Sequence, residues 1–213
     1  MTTATVVLVA HTVLDAAAAR RLADYGELDD AGVARALGQV HMQRWGRADL
    51  PGHLRCIDAL AAVIDDGAAG PRLVGPAAAT EPERLEALFA AWPAGAVDLV
   101  DWDGAARALL AARALAHARV LPAAFAAARA RALAERAAPA PAGHPAPADE
   151  VELACLQLMA GLDTTRGAPD TVARAIARYR LWLRWQYVTG CIDAGERAKR
   201  EARLSEIRFE NSA

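Results

Sequence analysis

The sequence predicts an α/β protein, a mixed β-sheet flanked by helices, and three features of the chain support this fold class. A continuous apolar run rich in valine, Thr5 to Ala10, is typical of a buried central strand. A second short apolar segment, Val97 to Val100, leads through a polar turn into a helical pattern over Ala105 to Ala116. Between them, Leu54 to Ile64 is apolar and ends at a turn signal. Strands that alternate with helices favour this architecture.

The segments around that central region can be predicted in chain order. Helices are expected over 16–23 and 29–39, the second with Asp29 or Asp30 as its N-cap. Arg72 to Gly75 follows the Asp-Asp-Gly turn and predicts the second strand of a hairpin with 54–64. Thr80-Glu81-Pro82-Glu83 opens a helix, since threonine can cap, proline fits the first turn and acids favour the positive helix end.

The C-terminal half is expected to be mainly helical. We predict one domain over 1–192 and a charged helical tail over 193–213, which we expect to be solvated. Within the domain we predict helices over 122–137, 150–159 and 170–188, of which the last is the longest. A Pro-rich extended loop is expected over 139–148.

Composition and charge narrow the function classes. The net charge of −2 does not indicate a nucleic-acid binder as a whole, although a local basic patch stays open. Three cysteines lie far apart with no CxxC pair, which favours a reduced, cytoplasmic protein. No apolar run reaches ~18 residues, so no membrane span is expected. The apolar N-terminus lacks a preceding basic region and is predicted to be a strand rather than a signal peptide.

Several segments together suggest a family. The first strand ends as Leu8-Val-Ala-His-Thr-Val-Leu-Asp15, and the middle element reads Leu99-Val-Asp-Trp-Asp-Gly-Ala-Ala-Arg-Ala108. The long final helix carries Tyr179, Leu183 and Arg184, with Gly190 after it. In this frame the chain resembles the predicted 3′–5′ exonucleases related to the proofreading domain of family-B DNA polymerases. These belong to the DEDD, ribonuclease-H-like group, so the resemblance implies a ribonuclease-H-like fold.

The metal-binding carboxylates of that family are replaced in this chain. The resemblance places them at Val9, His11, Ala108 and Arg174. A two-metal nuclease needs carboxylate oxygens for its Mg²⁺ ions, and an arginine repels a divalent cation at close range. We therefore expect no catalytic residue at these positions, no metal cofactor, and no exonuclease turnover by the family mechanism.

Two alternative uses of the same region stay open. Asp15, Asp101 and Asp103, with His11, are candidates for a rearranged Mg²⁺, Mn²⁺ or Zn²⁺ site, although capping of the adjacent helices by Asp15 and Asp103 is the favoured interpretation. Arginine pairs well with phosphate, and aromatic rings stack on bases. The candidate nucleic-acid-binding residues are therefore Arg107, Arg174 and Trp102. Trp182 and Trp185 are expected to be core or interface residues.

The sequence thus predicts an exonuclease-like protein that is catalytically inactive and retains a binding role. The expected partner is single-stranded nucleic acid or another protein, with no membrane involvement. One alternative is a residual metal-dependent 3′–5′ exonuclease with a rearranged site. Another is a non-enzymatic assembly protein that forms homo-oligomers. Clustered carboxylates, a basic cleft or an exposed apolar patch would favour the enzyme, the nucleic-acid binder and the assembly protein respectively.

Overall fold

The computed structural model describes residues 3–46, 52–67, 69–75, 80–133 and 171–206. Three predictions lie outside these ranges: the Pro-rich loop over 139–148, the helix over 150–159, and the end of the charged tail after residue 206.

A five-stranded mixed sheet forms the centre of the fold. Its strands are β1 (Ala4–Leu14), β2 (Arg55–Asp65), β3 (Pro71–Val74), β4 (Val97–Asp101) and β5 (Arg129–Ala132). They lie in the order β3-β2-β1-β4-β5, and β2 is antiparallel to both of its neighbours. The pairs β1–β4 and β4–β5 are parallel. The predicted α/β fold class is confirmed, and the strand order is consistent with a ribonuclease-H-like arrangement.

Within the described residues, six helices and one 3-10 turn surround the sheet. The helices are α1 (Ala16–Leu22), α2 (Asp30–Trp45), α3 (Glu81–Ala90), α4 (Ala106–Ala116), α5 (Thr171–Val188) and α6 (Ala194–Glu206), with the turn at Gly52–Leu54. Two predicted caps are present, since Asp15 accepts from Ala18 N at the start of α1 and Asp29 accepts from Gly32 N in α2. The prediction that Asp103 caps α4 is wrong, because the N-cap residue is Ala105 and Asp103 accepts from its backbone N. Thr80 and Glu83 form a capping box on α3. Among the described segments, no helix combines the length and the apolar content that crossing a bilayer requires.

The helices cover the two faces of the sheet with separate apolar clusters. On one face, Leu85, Leu88 and Leu110 from α3 and α4 pack against Val6 and Leu8 of β1. On the other face, helix α5 covers the alternate residues of the same strand. That second cluster contains Val7, Val9, Tyr179, Trp182 and Leu183, among others. The prediction that Trp182 is a core residue is confirmed, because it is 2% exposed.

The prediction of a helix over 122–137 is wrong for the described part of that range, which ends at residue 133. The chain instead forms turns at 123–127 and then the edge strand β5. Alanine and arginine favour helices. In a strand, however, alternate side chains lie on the same side, so Arg129 and Arg131 of β5 both contact Asp98 of β4, at 2.8 and 3.2 Å. This tertiary pairing overrides the local helix propensity.

The charged tail is helical over Ala194–Glu206, but it packs on the domain instead of lying in solvent. Leu204 of α6 is 3% exposed. Arg200 donates to the buried carboxylate of Asp65 on β2 at 2.9 Å, and Tyr179 of α5 donates to the same oxygen at 2.6 Å. The other Asp65 oxygen accepts from Gly67 N. Asp65 thereby joins α5 and α6 to the end of β2.

A second buried charge network joins α3 and α4 to the strands. Arg113 of α4 donates to both oxygens of Glu81, at 2.8 and 2.7 Å, and to Asp15 at 3.3 Å. Glu81 also accepts from Ile57 N of β2 and contacts His117. Burial would raise the pKa of Glu81, but the bonds to Arg113 and His117 hold that pKa below its usual range. The network is therefore an internally satisfied ion pair, the condition under which a buried charge is tolerated.

Replacing Arg113 should destabilise the fold strongly. Arg113→Ala leaves Glu81 buried with its main partner missing, so the free energy of unfolding in urea should fall by about 3–5 kcal/mol. Arg119→Ala is the matched control, since Arg119 and Glu86 form a more exposed pair and its loss should change that free energy by less than about 1 kcal/mol. Equal losses in the two variants would contradict the structural role of the network.

Removing only the Tyr179 hydroxyl should weaken the attachment of α6. Tyr179→Phe keeps the ring in the core but removes a buried donor to Asp65, which should lower the free energy of unfolding by about 1–3 kcal/mol. Hydrogen exchange of the α6 amides should accelerate in this variant. Unchanged exchange in α6 would show that Asp65 does not anchor this helix through Tyr179.

Candidate functional site

The candidate site lies where the parallel pairing of β1 with β4 ends. Their pairing stops at Val7 and Val100, whereas β1 continues to Leu14. In α/β sheets the carboxyl ends of parallel strands and the following turns place polar groups together. Here the chain after β4 turns through Trp102 and Asp103 into α4, and α5 crosses the other side of β1. This edge is therefore lined by residues from three elements.

Two carboxyl groups stand at the start of α4. Asp101, the last residue of β4, is 6% exposed and one of its oxygens accepts from Ala106 N at 2.7 Å. Asp103 is exposed and accepts from Ala105 N at 3.0 Å. Gly104, directly after Asp103, has a φ of +81°, a conformation that glycine adopts without strain. The helix begins at Ala106, so both carboxyl groups serve its start, with Asp101 the buried member.

Asp101 holds a proton more tightly than an ordinary aspartate. Burial, and then the adjacent Asp103 carboxyl, raise the pKa of Asp101 to about 7, although its bond from Ala106 N acts in the opposite direction. Its second oxygen, Oδ1, has no hydrogen-bond partner among the described residues. A proton shared with Asp103 would give that oxygen a partner. Asp101 is therefore the carboxyl group of this edge whose protonation changes near neutral pH.

Two arginines of α5 complete the site. Arg178 is 8% exposed and donates from Nη1 to the carbonyl of Leu8, 3.3 Å away and one residue past the last β1–β4 pair. Its guanidinium lies 5.9 Å from the ring centre of Trp102, within range of a cation–π interaction. Burial, and then the positive charge of Arg174, lower the pKa of Arg178 to about 10, against the attraction of the two aspartates. Arg174, one turn earlier, is half-buried, which also lowers its pKa.

Arg178 was not among the residues that the sequence indicated. The comparison with exonucleases directed attention to the positions of the missing acids, and of the α5 arginines only Arg174 falls on one. Arg178 lies four residues later and hence on the same helix face, which is the signal that could have identified it.

The other positions aligned with the family acids lie in different environments. Val9 is 1% exposed and packs in the apolar cluster under α5. Ala108 is exposed on α4. His11 is exposed on β1, with its Nδ1 at 3.4 Å from Asp58 of β2. None of these three positions carries a carboxylate.

Two further candidates from the sequence have their contacts elsewhere. Asp15 caps α1 and joins the Arg113 network. Arg107 donates to the carbonyls of Ala126 and Ala128 at 2.9 and 3.3 Å, in the turns before β5. The structure thus groups Asp101, Asp103, Trp102 and the arginines of α5, with Arg107 and Asp15 bonded to other partners.

Within the described residues, no group of three or more His, Cys, Asp and Glu side chains is placed to hold a metal ion. The aspartates are faced by Arg178, whose fixed charge competes with any cation for the carboxylates. What the arrangement offers chemically is a positively charged helix face beside a buried carboxyl group, Asp101, that changes protonation near neutral pH.

Comparisons of the chain with protein-family models, with curated proteins and with solved structures yield no match. The resemblance to exonucleases therefore stays a prediction from the sequence.

The raised pKa of Asp101 predicts a pH-dependent stability. A carboxyl group whose pKa is higher in the folded chain stabilises the fold at low pH, and this contribution is lost as the pH rises from its ordinary value of 3.8 to about 7. The slope approaches about 1.4 kcal/mol per pH unit. Asp101→Asn stays neutral, so its free energy of unfolding, measured against wild type from pH 5 to pH 8, should improve by roughly 2–3 kcal/mol.

The exposed Glu86 offers the control for that series. Glu86→Gln removes a surface carboxylate whose partner, Arg119, stays charged throughout, so its difference from wild type should stay nearly constant over the same pH range. A constant difference for Asp101→Asn as well would show that Asp101 is ionised throughout and that the aspartates do not share a proton.

Proposed function

We propose that this chain is an exonuclease-like domain without nuclease activity that binds single-stranded nucleic acid at the carboxyl edge of β1 and β4. The observation that carries the proposal is the pair of α5 arginines, Arg174 and Arg178, at the edge where the resemblance expects metal-binding carboxylates. A fixed cation there disfavours Mg²⁺ and favours an anion.

The local charge balance supports an anionic ligand. Arg178 faces the two aspartates, and Arg174 lies close to Arg178 on the same helix. Asp101 is protonated below about pH 7, so the site carries a net positive charge in that range. The protein as a whole has a net charge of −2, and the positive charge is therefore a local feature. Arginine binds phosphate oxygens through a planar fork of donors, and the half-buried Arg174 is the better placed of the two for such a contact.

The position of Trp102 favours single-stranded over double-stranded nucleic acid as the ligand. Its ring is partly exposed, directly after β4, and lies next to the Arg178 guanidinium. Unpaired bases can stack on such a ring, whereas the bases of a duplex are already stacked on one another. A phosphate at Arg174 and a base at Trp102 would together bind a short stretch of single strand without reading its sequence.

The free thiols suit a reducing compartment. Cys56 and Cys191 are both unpaired, and burial raises the pKa of the Cys56 thiol, which makes it less reactive. We propose the cytoplasm as the setting of this binding function.

Binding should weaken when Arg174 is replaced. In fluorescence anisotropy with a labelled single-stranded oligonucleotide, Arg174→Ala should raise Kd about 3- to 10-fold and reduce the salt slope by about one. Trp102→Ala should raise Kd by a similar factor without changing that slope. Arg21→Ala removes the same charge from the exposed end of α1 and should leave Kd within about 2-fold of wild type.

A nuclease assay tests the proposed absence of nuclease activity. Wild-type protein should not shorten a 5′-labelled single-stranded DNA or RNA with Mg²⁺, with Mn²⁺ or with EDTA. Metal-dependent shortening from the 3′ end, lost in Asp103→Ala, would instead establish a nuclease with a rearranged site. Equal Kd values for wild type and Arg174→Ala would contradict the binding half.

A further inference from the structure

Helix α2 has a face that the rest of the described structure does not bury. Its buried residues, Gly32, Val33 and Leu37, lie on one side, and α1 is its main neighbour. At 3.6 residues per turn, the side chains on the opposite side recur at intervals of three or four residues. They are Ala31, Ala34, Arg35, Gly38, His41, Met42 and Trp45.

This face is uneven in size and apolar except at Arg35 and His41, and its members Ala34, Gly38 and His41 are half-buried. Apart from Arg35, its first half is built from small residues, and its second half is built from large ones. Met42 is 49% exposed and Trp45 is 57% exposed, which is unusual for side chains of this size. The ring of His41 lies 4.4 Å from the ring of Trp45, one turn away, so the two aromatic rings form a contact pair on the surface. Large exposed apolar side chains in one contiguous patch indicate an interaction surface.

We propose that this face binds the same face of a second copy of the chain, as an antiparallel helix pair about a two-fold axis near Gly38. The small and large residues are placed symmetrically about that position. Trp45 and Ala31 lie equally far from Gly38 on opposite sides, and Met42 and Ala34 do the same. In an antiparallel pair, Trp45 of one copy therefore covers Ala31 of the other, and Met42 covers Ala34.

Size complementarity explains why a second copy fits better than an unrelated helix. In a two-fold pair the same patch must fit itself, so large residues need small ones opposite. Gly38, with no side chain, permits a close approach of the two backbones at the crossing point. A parallel pair would instead place Trp45 against Trp45 and leave the alanines facing each other across a gap.

The charges of α2 favour the same antiparallel arrangement. Acids surround its N-terminus, at Glu27, Asp29 and Asp30. The helix has no acid after Asp30, and Arg44 lies in its last turn. The antiparallel pair brings Arg44 of each copy toward the acidic end of the other and opposes the two helix dipoles. A parallel pair would bring like charges together.

The expected association is weak. A single pair of helices of this length buries less than the ~1,200–2,000 Å² of total surface typical of stable complexes. We therefore expect a dimer with a Kd on the order of micromolar. The interface does not use the arginines of α5, so this inference is independent of the proposed function.

Sedimentation velocity over a concentration series tests the proposal with the full chain. Wild type should show a concentration-dependent dimer. Trp45→Ala and Ala34→Glu should each raise the dimer Kd at least about 10-fold, because one removes the largest contact and the other buries a charge. Gln39→Glu is the matched control: it lies off the face, is exposed, and should change Kd by less than about 2-fold.

Cross-linking tests the register. In a background with Cys56, Cys155 and Cys191 replaced by serine, Gly38→Cys should form an intermolecular disulfide under mild oxidation, because the two-fold axis brings its copies within the ~7 Å that a disulfide requires between Cα atoms. Gln39→Cys should not. Circular dichroism of each variant confirms that the fold is retained.

Four results would overturn the proposal. One is a wild-type monomer at all concentrations up to about 200 μM. Another is a dimer that is unaffected by Trp45→Ala and Ala34→Glu. The third is a monomer in which Ala34→Glu lowers the melting temperature, which would mean that the face is covered within the chain. A complex that forms only before nuclease treatment would identify nucleic acid, and not a second copy, as the occupant.

Discussion

The pairing of β1 with β4 stops at Val7 and Val100, and the candidate site depends on this separation. Because β1 continues past that point paired with β2 but no longer with β4, the carbonyl of Leu8 is available to Arg178 of α5. Because β4 ends at Asp101, its carboxyl group is buried at the same edge, at the start of α4. One local feature of the sheet therefore brings a cation and an acid together from opposite layers of the fold.

The buried charges of this protein fall into two kinds. Arg113 with Glu81 and Arg200 with Asp65 are joined by direct hydrogen bonds, and these contacts hold helices to strands. The site at the carboxyl edge is different. Arg178 Nε and Asp101 Oδ1 are buried without hydrogen-bond partners among the described residues, and the pKa values of both groups shift toward the neutral form. Burial without a full set of hydrogen bonds costs free energy, and this cost separates the carboxyl-edge site from the two ion-pair networks.

The sequence predicted those parts of the fold whose patterns are local. Apolar runs and turn signals were sufficient for β1, for the β2–β3 hairpin and for the start of α3. Strand β5 could not be predicted from its composition, because its alanines and arginines favour a helix and only Asp98 on the neighbouring strand selects the extended form. The packing of α6 on the domain could not be predicted for the same reason, since its partner Asp65 lies far away in the sequence. At the site, the sequence identified Asp101, Asp103 and Arg174 from their positions. Arg178 is identified by its contacts in the fold, with the carbonyl of Leu8 and the ring of Trp102.

The two proposals use different elements of the same chain. The first concerns the edge beside α5, and the second concerns α2, which follows the far end of β1. A two-fold pair built on α2 would therefore place two anion sites on one particle. A single strand that reached both sites would bind more tightly than either site alone allows, because the second contact forms within a complex that already exists. A weak phosphate contact at Arg174 and a weak helix pair at Gly38 would then reinforce each other, and neither needs high affinity by itself.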